Sequence, residues 1–252
     1  MRGRTLRFHS LLGALLLTMP SFACAQTPNA ATPESFARWA RHFHERVDRF
    51  QQENEVLAEF STQRNIVLLG DSLTEGWEIN NRISRLLPGL PVVNRGIVSD
   101  TVTAKDGRGL VNRMEVSVFD CNPSHVFLLM GVNDIGDLTR NGVPSVDTIF
   151  DAYRDVVEQI RSRTPGVVLV LTSCTPAGEK RPELSSHILE LNEHIFALAA
   201  EESLPLIDLF SLFVNDDGFL RSELTSDGMH FADPGYEIWA GEILKVLDGS
   251  QR

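Results

Sequence analysis

Cysteine, basic residues and long apolar runs are scarce in this sequence, and each scarcity excludes a class of protein. Only 3 of the 252 residues are cysteine, which is too few for a disulfide-stapled scaffold. Lys and Arg total 23 against 34 Asp and Glu, a formal charge of −11. Phosphate backbones repel a chain this acidic, so we expect no nucleic-acid partner. No apolar run reaches the roughly 20 residues that cross a bilayer.

The rest of the composition is that of a globular domain. Hydrophobic residues make up 42% and charged residues 23% of the chain, close to the average for folded domains. A chain of this length buries a large core without disulfides. We therefore expect one compact domain of moderate size.

Residues 1–25 have the pattern of a secretory signal peptide. Three arginines precede a leucine-rich run at 11–17, and the sequence ACA at 23–25 supplies a cleavage site. The run is too short for a membrane anchor, and bulky Phe22 disfavours a lipoprotein site at Cys24. We expect these residues to be removed and the mature protein to be exported, to the periplasm or the medium, with no membrane span left.

Cleavage would leave two cysteines in a compartment where disulfides form. Cys121 precedes the apolar run at 126–130, whereas Cys174 follows the run at 167–171. If both runs are strands of a parallel sheet, the two residues lie at opposite ends of it. That separation exceeds the Cα distance of about 7 Å that a disulfide tolerates. We predict two unpaired thiols.

Residues 26–62 form an N-terminal extension, a polar linker followed by an amphipathic helix. His42 and His44 of this helix face different sides, which argues against a metal pair. We expect the helix to pack on the main domain. Its apolar positions recur mostly at three- and four-residue steps: Phe36, Trp39, Phe43, Val47, Phe50 and Leu57.

From residue 63 to 252, short apolar strands alternate with helical patterns. The strands are continuous apolar runs, which is typical of strands buried on both faces. The alternation predicts an α/β fold, a three-layer flavodoxin-like sandwich around a five-stranded parallel sheet, with ligands at the carboxyl ends of the strands. Strands are predicted at 66–69, 92–94, 126–130, 167–171 and 206–207, and helices near 79–87, 102–114, 145–163, 185–201 and 234–248.

The first two strand ends carry chemically useful residues. Ser72 stands between a strand and a helix start, where helix amides stabilise negative charge, so it suits a nucleophile or, equally, a helix cap. Asp71 and Glu75 beside it, without a glycine-rich loop, disfavour a flavodoxin-type nucleotide site, because they stand where a phosphate would bind. Gly96 after the second strand can offer its N–H to an oxyanion, although glycine there is also a common turn former.

The third strand and the last loop supply the other candidates. Asn133 offers an amide donor at the same sheet edge, or forms an Asx turn. Asp134 and Asp137 beside it favour a solvated turn over a cation site, because two carboxylates make an incomplete ligand set. His230 can accept a proton from a serine, and Asp227 can hold its other ring nitrogen. The conjunction of these residues favours a hydrolytic site.

These segments resemble the GDSL esterases, or SGNH hydrolases, a family defined by Ser, Gly, Asn and His in this order. The matching segments are GDSLTEGW at 70–77, NRG at 94–96, GVND at 131–134 and DGMH at 227–230. The resemblance covers roughly residue 63 to the end. The preceding helix, with RFQQEN at 49–54, is similar to the extension of the branch that includes platelet-activating-factor acetylhydrolase catalytic subunits and bacterial carbohydrate O-acetylesterases.

The resemblance implies a serine esterase that needs no metal or organic cofactor. It makes Ser72 the nucleophile, His230 the base and Asp227 its orienting acid. It also implies three oxyanion donors: the backbone N–H groups of Ser72 and Gly96, and the side-chain amide of Asn133.

The resemblance and the expected export favour a short acyl group, above all acetyl on a sugar hydroxyl of a glycan. A lysophospholipase or thioesterase stays open, as does an O-acyltransferase with the same residues, whereas a non-catalytic module is disfavoured because nucleophile and base are both present. We interpret Asp71 as a support for the nucleophile turn, and Trp77 as either a sugar-stacking or a packing residue. Val98 and Ser99 stand where similar sequences often carry Ser-Gly. Their extra side chains affect the shape of the acyl pocket, and therefore the inferred substrate more than the mechanism.

Overall fold

The structure is a computed structural model that describes residues 33–249. The expected signal peptide and most of the polar linker lie outside these residues. Five strands form one parallel sheet in the order β2-β1-β3-β4-β5, which is the flavodoxin order. The strands are β1 (Asn65–Gly70), β2 (Val92–Gly96), β3 (Pro123–Leu129), β4 (Val168–Thr172) and β5 (Leu206–Ile207). The predicted five-stranded parallel sheet is confirmed.

Helices cover both faces of the sheet. Within residues 33–249, none is long and apolar enough to cross a membrane. Short 3-10 turns occur at Gly76–Asn81, Leu110–Asn112, Phe119–Cys121, Pro182–Leu184 and Ser222–Leu224. The α-helices are α1 (Pro33–Phe60), α2 (Ser72–Glu75), α3 (Arg82–Leu86), α4 (Met114–Ser117), α5 (Val132–Asn141), α6 (Val146–Arg163), α7 (Ser185–Glu201), α8 (Leu209–Phe213) and α9 (Asp233–Gly249).

The sheet separates two apolar cores because successive side chains of a strand point to opposite faces. Val67 and Leu69 of β1 belong to the core under α6 and α7. Ile66 and Leu68 belong to the core under α8 and α9. All four side chains are buried, so both faces of the strand are covered and the three-layer sandwich is confirmed.

The predicted helix at 102–114 is wrong. Residues 101–109 form a loop, followed by a 3-10 turn and the short helix α4. The carboxylate of Asp134 accepts the backbone N–H groups of Val102 (2.8 Å) and Thr103 (3.0 Å) and holds the start of this loop. Leu110 and Val111 donate their N–H groups to the carbonyls of Thr101 (2.8 Å) and Val102 (3.4 Å), nine residues back, whereas an α-helix uses carbonyls four residues back. Gly109 has a φ of +107°, which an α-helix excludes.

Two further local predictions need correction. The pattern at 79–87 yields only α3, because Asn80 and Asn81 adopt left-handed φ angles of 54° and 52°. Asp134 and Asp137 lie in α5, a helix that the prediction missed. They do not form a solvated turn, since both are buried and Asp137 pairs with Lys105 and Arg140.

The N-terminal helix packs on the main domain as expected. Phe43 and Phe50 of α1 are buried and form a small apolar cluster with Ile97, directly after β2. The guanidinium groups of Arg46 and Arg95 lie over the Phe50 ring, 4.8 and 4.6 Å from its centre. The helix therefore covers the end of β2, where one of the candidate loops begins.

The two cysteines of the described chain are unpaired, as predicted, and both are buried. Cys121 ends the turn before β3, and Cys174 follows β4. They lie at opposite ends of neighbouring strands, which prevents a disulfide.

Candidate active site

The nucleophile turn joins β1 to α2. Asp71 is the N-cap of α2, and its side chain accepts the Leu73 N–H at 3.0 Å. Ser72 is the first helical residue, so the alternative role of Ser72 as the cap is wrong. Its hydroxyl bonds to the ring of His230, with 3.0 Å between Oγ and Nε2.

The His230 ring joins Ser72 to Asp227. Its Nδ1 lies 2.7 Å from Asp227 Oδ2. The other carboxylate oxygen, Oδ1, accepts the backbone N–H groups of Met229 (2.9 Å) and His230 (2.8 Å). With Oδ1 bound to the backbone, Oδ2 faces the ring, and the Nδ1 proton assigned by this contact leaves Nε2 free to accept from Ser72.

The loop that carries Asp227 and His230 is held from two sides. Thr225 Oγ1 accepts the Gly228 N–H at 3.0 Å and donates to the His230 carbonyl at 2.7 Å. Gly178, in the loop after β4, donates its N–H to the Gly228 carbonyl at 2.8 Å. Together these contacts position the base relative to the sheet edge.

The hydrogen bond between His230 and Asp227 moves their pKa values in opposite directions. The hydrogen bond to Asp227 raises the pKa of His230 against the opposing effect of burial. Burial would raise the pKa of Asp227, but the side-chain and backbone hydrogen bonds of His230 hold it well below its usual range. Asp227 therefore stays ionised at any pH where His230 can act as a base.

Asn133 lies in the first turn of α5, at the end of β3. Its Nδ2 donates to the Asp100 carbonyl at 2.9 Å and lies 3.4 Å from Asp71 Oδ2. An amide NH₂ carries two hydrogens. The first is used by Asp100, while the long contact to Asp71 leaves the second weakly engaged and available to a ligand.

Asp71 lies close to these donors and is almost completely buried. Burial raises the pKa of Asp71 to about 7, against the opposing hydrogen bond from Leu73 and the charge of His230. It therefore carries less negative charge at neutral pH than an exposed aspartate.

The expected oxyanion role of Gly96 needs correction. Its N–H donates to the Asn94 side chain at 2.8 Å in a buried hydrogen bond. A Cβ atom at Gly96 would lie 2.1 Å from the backbone nitrogen of Glu75. Glycine is therefore required by the close packing of β2 on α2, and its N–H is already bound.

The free donor in this segment lies three residues later. We call residues 96–100 the β2 loop. Ile97 donates to Gly70 O (3.2 Å), Val98 to Glu75 Oε2 (2.7 Å), and Asp100 to Ile97 O (3.2 Å). Ser99 is half-buried, with a φ of +60°, and within residues 33–249 its N–H has no partner. Similar sequences often carry Ser-Gly where this chain has Val98 and Ser99. That correspondence was the signal that could have identified Ser99 as the donor.

Arg113 holds together the strand ends that carry the site, and sequence reasoning missed it. It is fully buried and donates to Asp100 Oδ2 (2.7 Å), to the Arg95 carbonyl (3.0 Å) and to the Gly70 carbonyl (2.9 Å). It thus joins the ends of β1 and β2 to the β2 loop. No local pattern marks this role, because each partner is distant in sequence.

Trp77 is a packing residue. Its side chain is 0% exposed and contacts the rings of Tyr236 and Trp239, with 5.2 Å between ring centres in each case. The sugar-stacking alternative is therefore wrong for Trp77. Its cluster helps to hold α9 against the nucleophile turn, where Tyr236 also donates to the Leu73 carbonyl at 2.8 Å.

This arrangement suits acyl transfer through a serine. A hydroxyl, an imidazole and an ionised carboxylate form a continuous hydrogen-bonded chain. The Asn133 amide and the Ser99 N–H lie in the segments that follow the two neighbouring strands. Ser72 is half-buried and the His230 side chain is 50% exposed, so the reacting atoms can be reached from solvent. Within residues 33–249 no group of three or more His, Cys, Asp or Glu could hold a metal ion.

Comparison with known proteins agrees with this chemistry. An isoamyl acetate-hydrolyzing esterase of Saccharomyces cerevisiae is 24% identical over 204 residues, which cover 72% of this chain and 85% of the yeast protein. The structure of a GDSL-like lipase from Bacteroides thetaiotaomicron is 24% identical with a TM-score of 0.69, and covers 81% of this chain and 98% of that one. An acetyl xylan esterase structure is 22% identical with a TM-score of 0.60, and covers 72% and 98% respectively.

At these identities the two solved structures support the fold alone. The family follows from a direct match: the model of the GDSL-like Lipase/Acylhydrolase family matches residues 68–238. This range includes Ser72, Asn133 and His230. The chain belongs to the GDSL-like lipase/acylhydrolase family and is an esterase/acylhydrolase.

Proposed function

We propose that this esterase removes short acyl groups, above all acetyl, from the hydroxyls of carbohydrates. Ser72 Oγ attacks the ester carbonyl while His230 Nε2 takes the hydroxyl proton. The tetrahedral intermediate collapses, and His230 returns the proton to the leaving sugar oxygen. Water, deprotonated by the same ring, then attacks the acyl-serine. The bond to Ser72 Oγ breaks as His230 returns the proton to that oxygen, and acetic acid leaves. The observation that carries the proposal is the unbroken contact from Ser72 through His230 to Asp227 at an open surface.

Three donors stabilise the oxyanion in this proposal. They are the N–H of Ser72, the second Nδ2 hydrogen of Asn133 and the N–H of Ser99, which replaces Gly96 in this role. The N–H of Gly96 is bound to the Asn94 side chain, whereas the N–H of Ser99 has no partner among residues 33–249, and both facts support this assignment. Donors that are already oriented stabilise the developing charge without reorganisation.

Two observations support a short acyl group on a bulky alcohol. The yeast relative is described as acting on isoamyl acetate, and one structural neighbour as an acetyl xylan esterase. The Asp227 and His230 side chains are 30% and 50% exposed. An exposed base allows a large alcohol to remain in solvent while only its acyl group enters the site.

We also propose that the protein is exported after removal of residues 1–25. The arginines, the leucine-rich run and the ACA sequence support this proposal. N-terminal sequencing of protein recovered outside the cytoplasm should begin at Gln26. Recovery of the intact chain from the cytoplasm would contradict it.

The substrate proposal is tested with p-nitrophenyl esters from acetyl to palmitoyl, followed by acetylated and deacetylated xylan. We expect the highest kcat/KM for acetyl, and release of acetate from acetylated xylan. Ser72→Ala should lose nearly all activity, whereas Ser226→Ala, an exposed serine in the same loop as His230, should retain it.

Other outcomes identify the alternatives. A preference for long acyl chains would indicate a lysophospholipase or a thioesterase. Transfer of the acyl group to added alcohol in preference to water would indicate an O-acyltransferase. Equal rates for the wild type and Ser72→Ala would remove Ser72 from the mechanism.

A further inference from the structure

Glu75 connects three parts of the molecule that meet beside the candidate site. It is the last residue of α2, the helix that begins with Ser72. Its Oε2 accepts the Val98 N–H of the β2 loop at 2.7 Å. Both of its carboxylate oxygens lie 3.0 Å from His42 Nε2 on α1. Glu75 therefore connects the nucleophile helix, to which it belongs, with the β2 loop and the N-terminal extension.

The carboxylate of Glu75 is a charged acceptor in a mostly enclosed position. Its side chain is 16% exposed, and that of His42 is 28% exposed. Burial would raise the pKa of Glu75, but the hydrogen bond from His42 and the charge of Arg46 lower it overall. Glu75 is therefore ionised at neutral pH, and its bond to the Val98 N–H is a charge-assisted one, about twice as strong as a neutral hydrogen bond.

A second contact from α1 holds the other end of the β2 loop. Arg46 is 6% exposed and donates to the Gly96 carbonyl from Nε (3.2 Å) and Nη2 (2.9 Å). Its Nη1 pairs with Glu78 at 2.8 Å, so its own position is set from both sides. His42 and Arg46 are one helical turn apart on α1. His42 acts on the loop through the Glu75 side chain, whereas Arg46 binds the Gly96 carbonyl directly.

We propose that Glu75, held by His42, is a positioning residue that sets the β2 loop and thereby the N–H of Ser99 for the esterase reaction. The inference rests on the proposed oxyanion role of Ser99. Val98 directly precedes Ser99, so fixing the Val98 N–H restricts the peptide that carries the Ser99 N–H. The N-terminal extension is then part of the catalytic apparatus, although it contributes no reacting atom.

The test compares kcat and KM for p-nitrophenyl acetate in four variants. Glu75→Gln keeps the side-chain volume but loses the charge, and we expect kcat to fall about 10-fold with KM within about twofold, since a donor displaced in the transition state affects kcat. His42→Ala should lower kcat to a similar extent. His42→Gln should recover most of the activity, because its amide can still donate to Glu75. His44→Ala, exposed on the same helix, is the matched control and should equal the wild type.

A double variant separates positioning from simple support of the fold. If Glu75 acts through the oxyanion donors, Glu75→Gln combined with Asn133→Ala should lose less activity than the product of the two single losses. Thermal unfolding of each variant shows whether it is folded. If Glu75→Gln does not fold, the comparison of His42→Ala with His42→Gln tests the positioning role instead, because His42 is only half-buried.

Three results have distinct meanings. A kcat within twofold of the wild type in both Glu75→Gln and His42→Ala, with Ser72→Ala inactive, would overturn the positioning role and leave the proposed function intact. Losses that multiply in the double variant would also overturn it. An active Ser72→Ala would instead overturn the proposed function itself.

Discussion

At the residue scale, the two carboxylate oxygens of Asp227 have different partners, and this fixes the position of the carboxylate beside the His230 ring. One carboxylate oxygen binds the backbone of its own loop, and the other binds the ring. The side chain therefore has little rotational freedom, and the imidazolium that forms during the proposed reaction has an ionised partner. Residue types alone do not provide this; the turn between Asp227 and His230 does.

The raised pKa of His230 predicts the acid limb of the pH profile. The proposed base must be neutral, so activity falls as the pH drops through the pKa of His230. Because the pKa is raised above its ordinary value of 6.5, the midpoint of the limb in kcat/KM should lie above 6.5. In Asp227→Asn the hydrogen bond to an anion is lost, and the residual activity should show a midpoint shifted to lower pH.

Asp71→Asn is the matched control for this shift. Asp71 also raises the pKa of His230, but by charge alone and as a smaller contribution than Asp227. Its replacement should move the limb less than Asp227→Asn does. A wild-type midpoint below 6.5, or an equal shift in both variants, would contradict the assignment.

At the element scale, short loops position the site, and the long helices hold those loops. The loop after β4 touches the C-terminal loop at a contact between two glycines, where a Cβ atom on Gly178 would lie 2.6 Å from the Gly228 Cα. This clash involves backbone atoms, so no side-chain rotation can relieve it. The spacing of the two loops therefore depends on the absence of a side chain at Gly178.

Gly178→Ala should displace the loop that carries Asp227 and His230. We expect kcat to fall about 10-fold or more, together with a loss of stability of about 1–3 kcal/mol from overpacking. Steady-state kinetics and thermal unfolding measure the two effects. Gly241→Ala in α9, where a Cβ meets no atom of the described residues within 4 Å, should keep full activity. An unchanged kcat in Gly178→Ala would show that this contact does not position His230.

At the scale of the whole molecule, the strand order brings the site together. β1 lies between β2 and β3, so the turns that follow all three strands meet at one edge of the sheet. The loop before α9 then crosses to this edge from the C-terminal part of the chain. The same parallel arrangement keeps Cys121 and Cys174 at opposite ends of their strands.

This arrangement predicts the state of the thiols in a protein comprising residues 26–252. Both cysteines are buried, and burial raises the pKa of each thiol, so neither should react with a thiol reagent in the native state. Two thiols should react after denaturation without reductant. A count of zero under those conditions would show that a disulfide had formed and that the strand geometry is wrong.

Sequence patterns predicted the parts of this protein that depend on near neighbours. Apolar runs identified the five strands, since a strand buried on both faces needs apolar residues throughout. The segment from Asp227 to His230 contains its own hydrogen-bonded turn, and Ser72 follows a strand directly. The GDSL pattern predicted the family for the same reason, because each of its blocks is short and continuous.

Tertiary structure alone decided which groups are free and which are engaged. Gly96 has the right residue type for an oxyanion donor, but Asn94 uses its N–H. Trp77 has a sugar-stacking side chain, but α9 covers it. Asp134 binds the backbone N–H groups of Val102 and Thr103 more than thirty residues away, and His42 holds Glu75 across a similar distance in sequence. Such contacts depend on how the chain packs, because a hydrogen-bond donor binds whichever acceptor the fold brings nearest, and no local pattern encodes that neighbour.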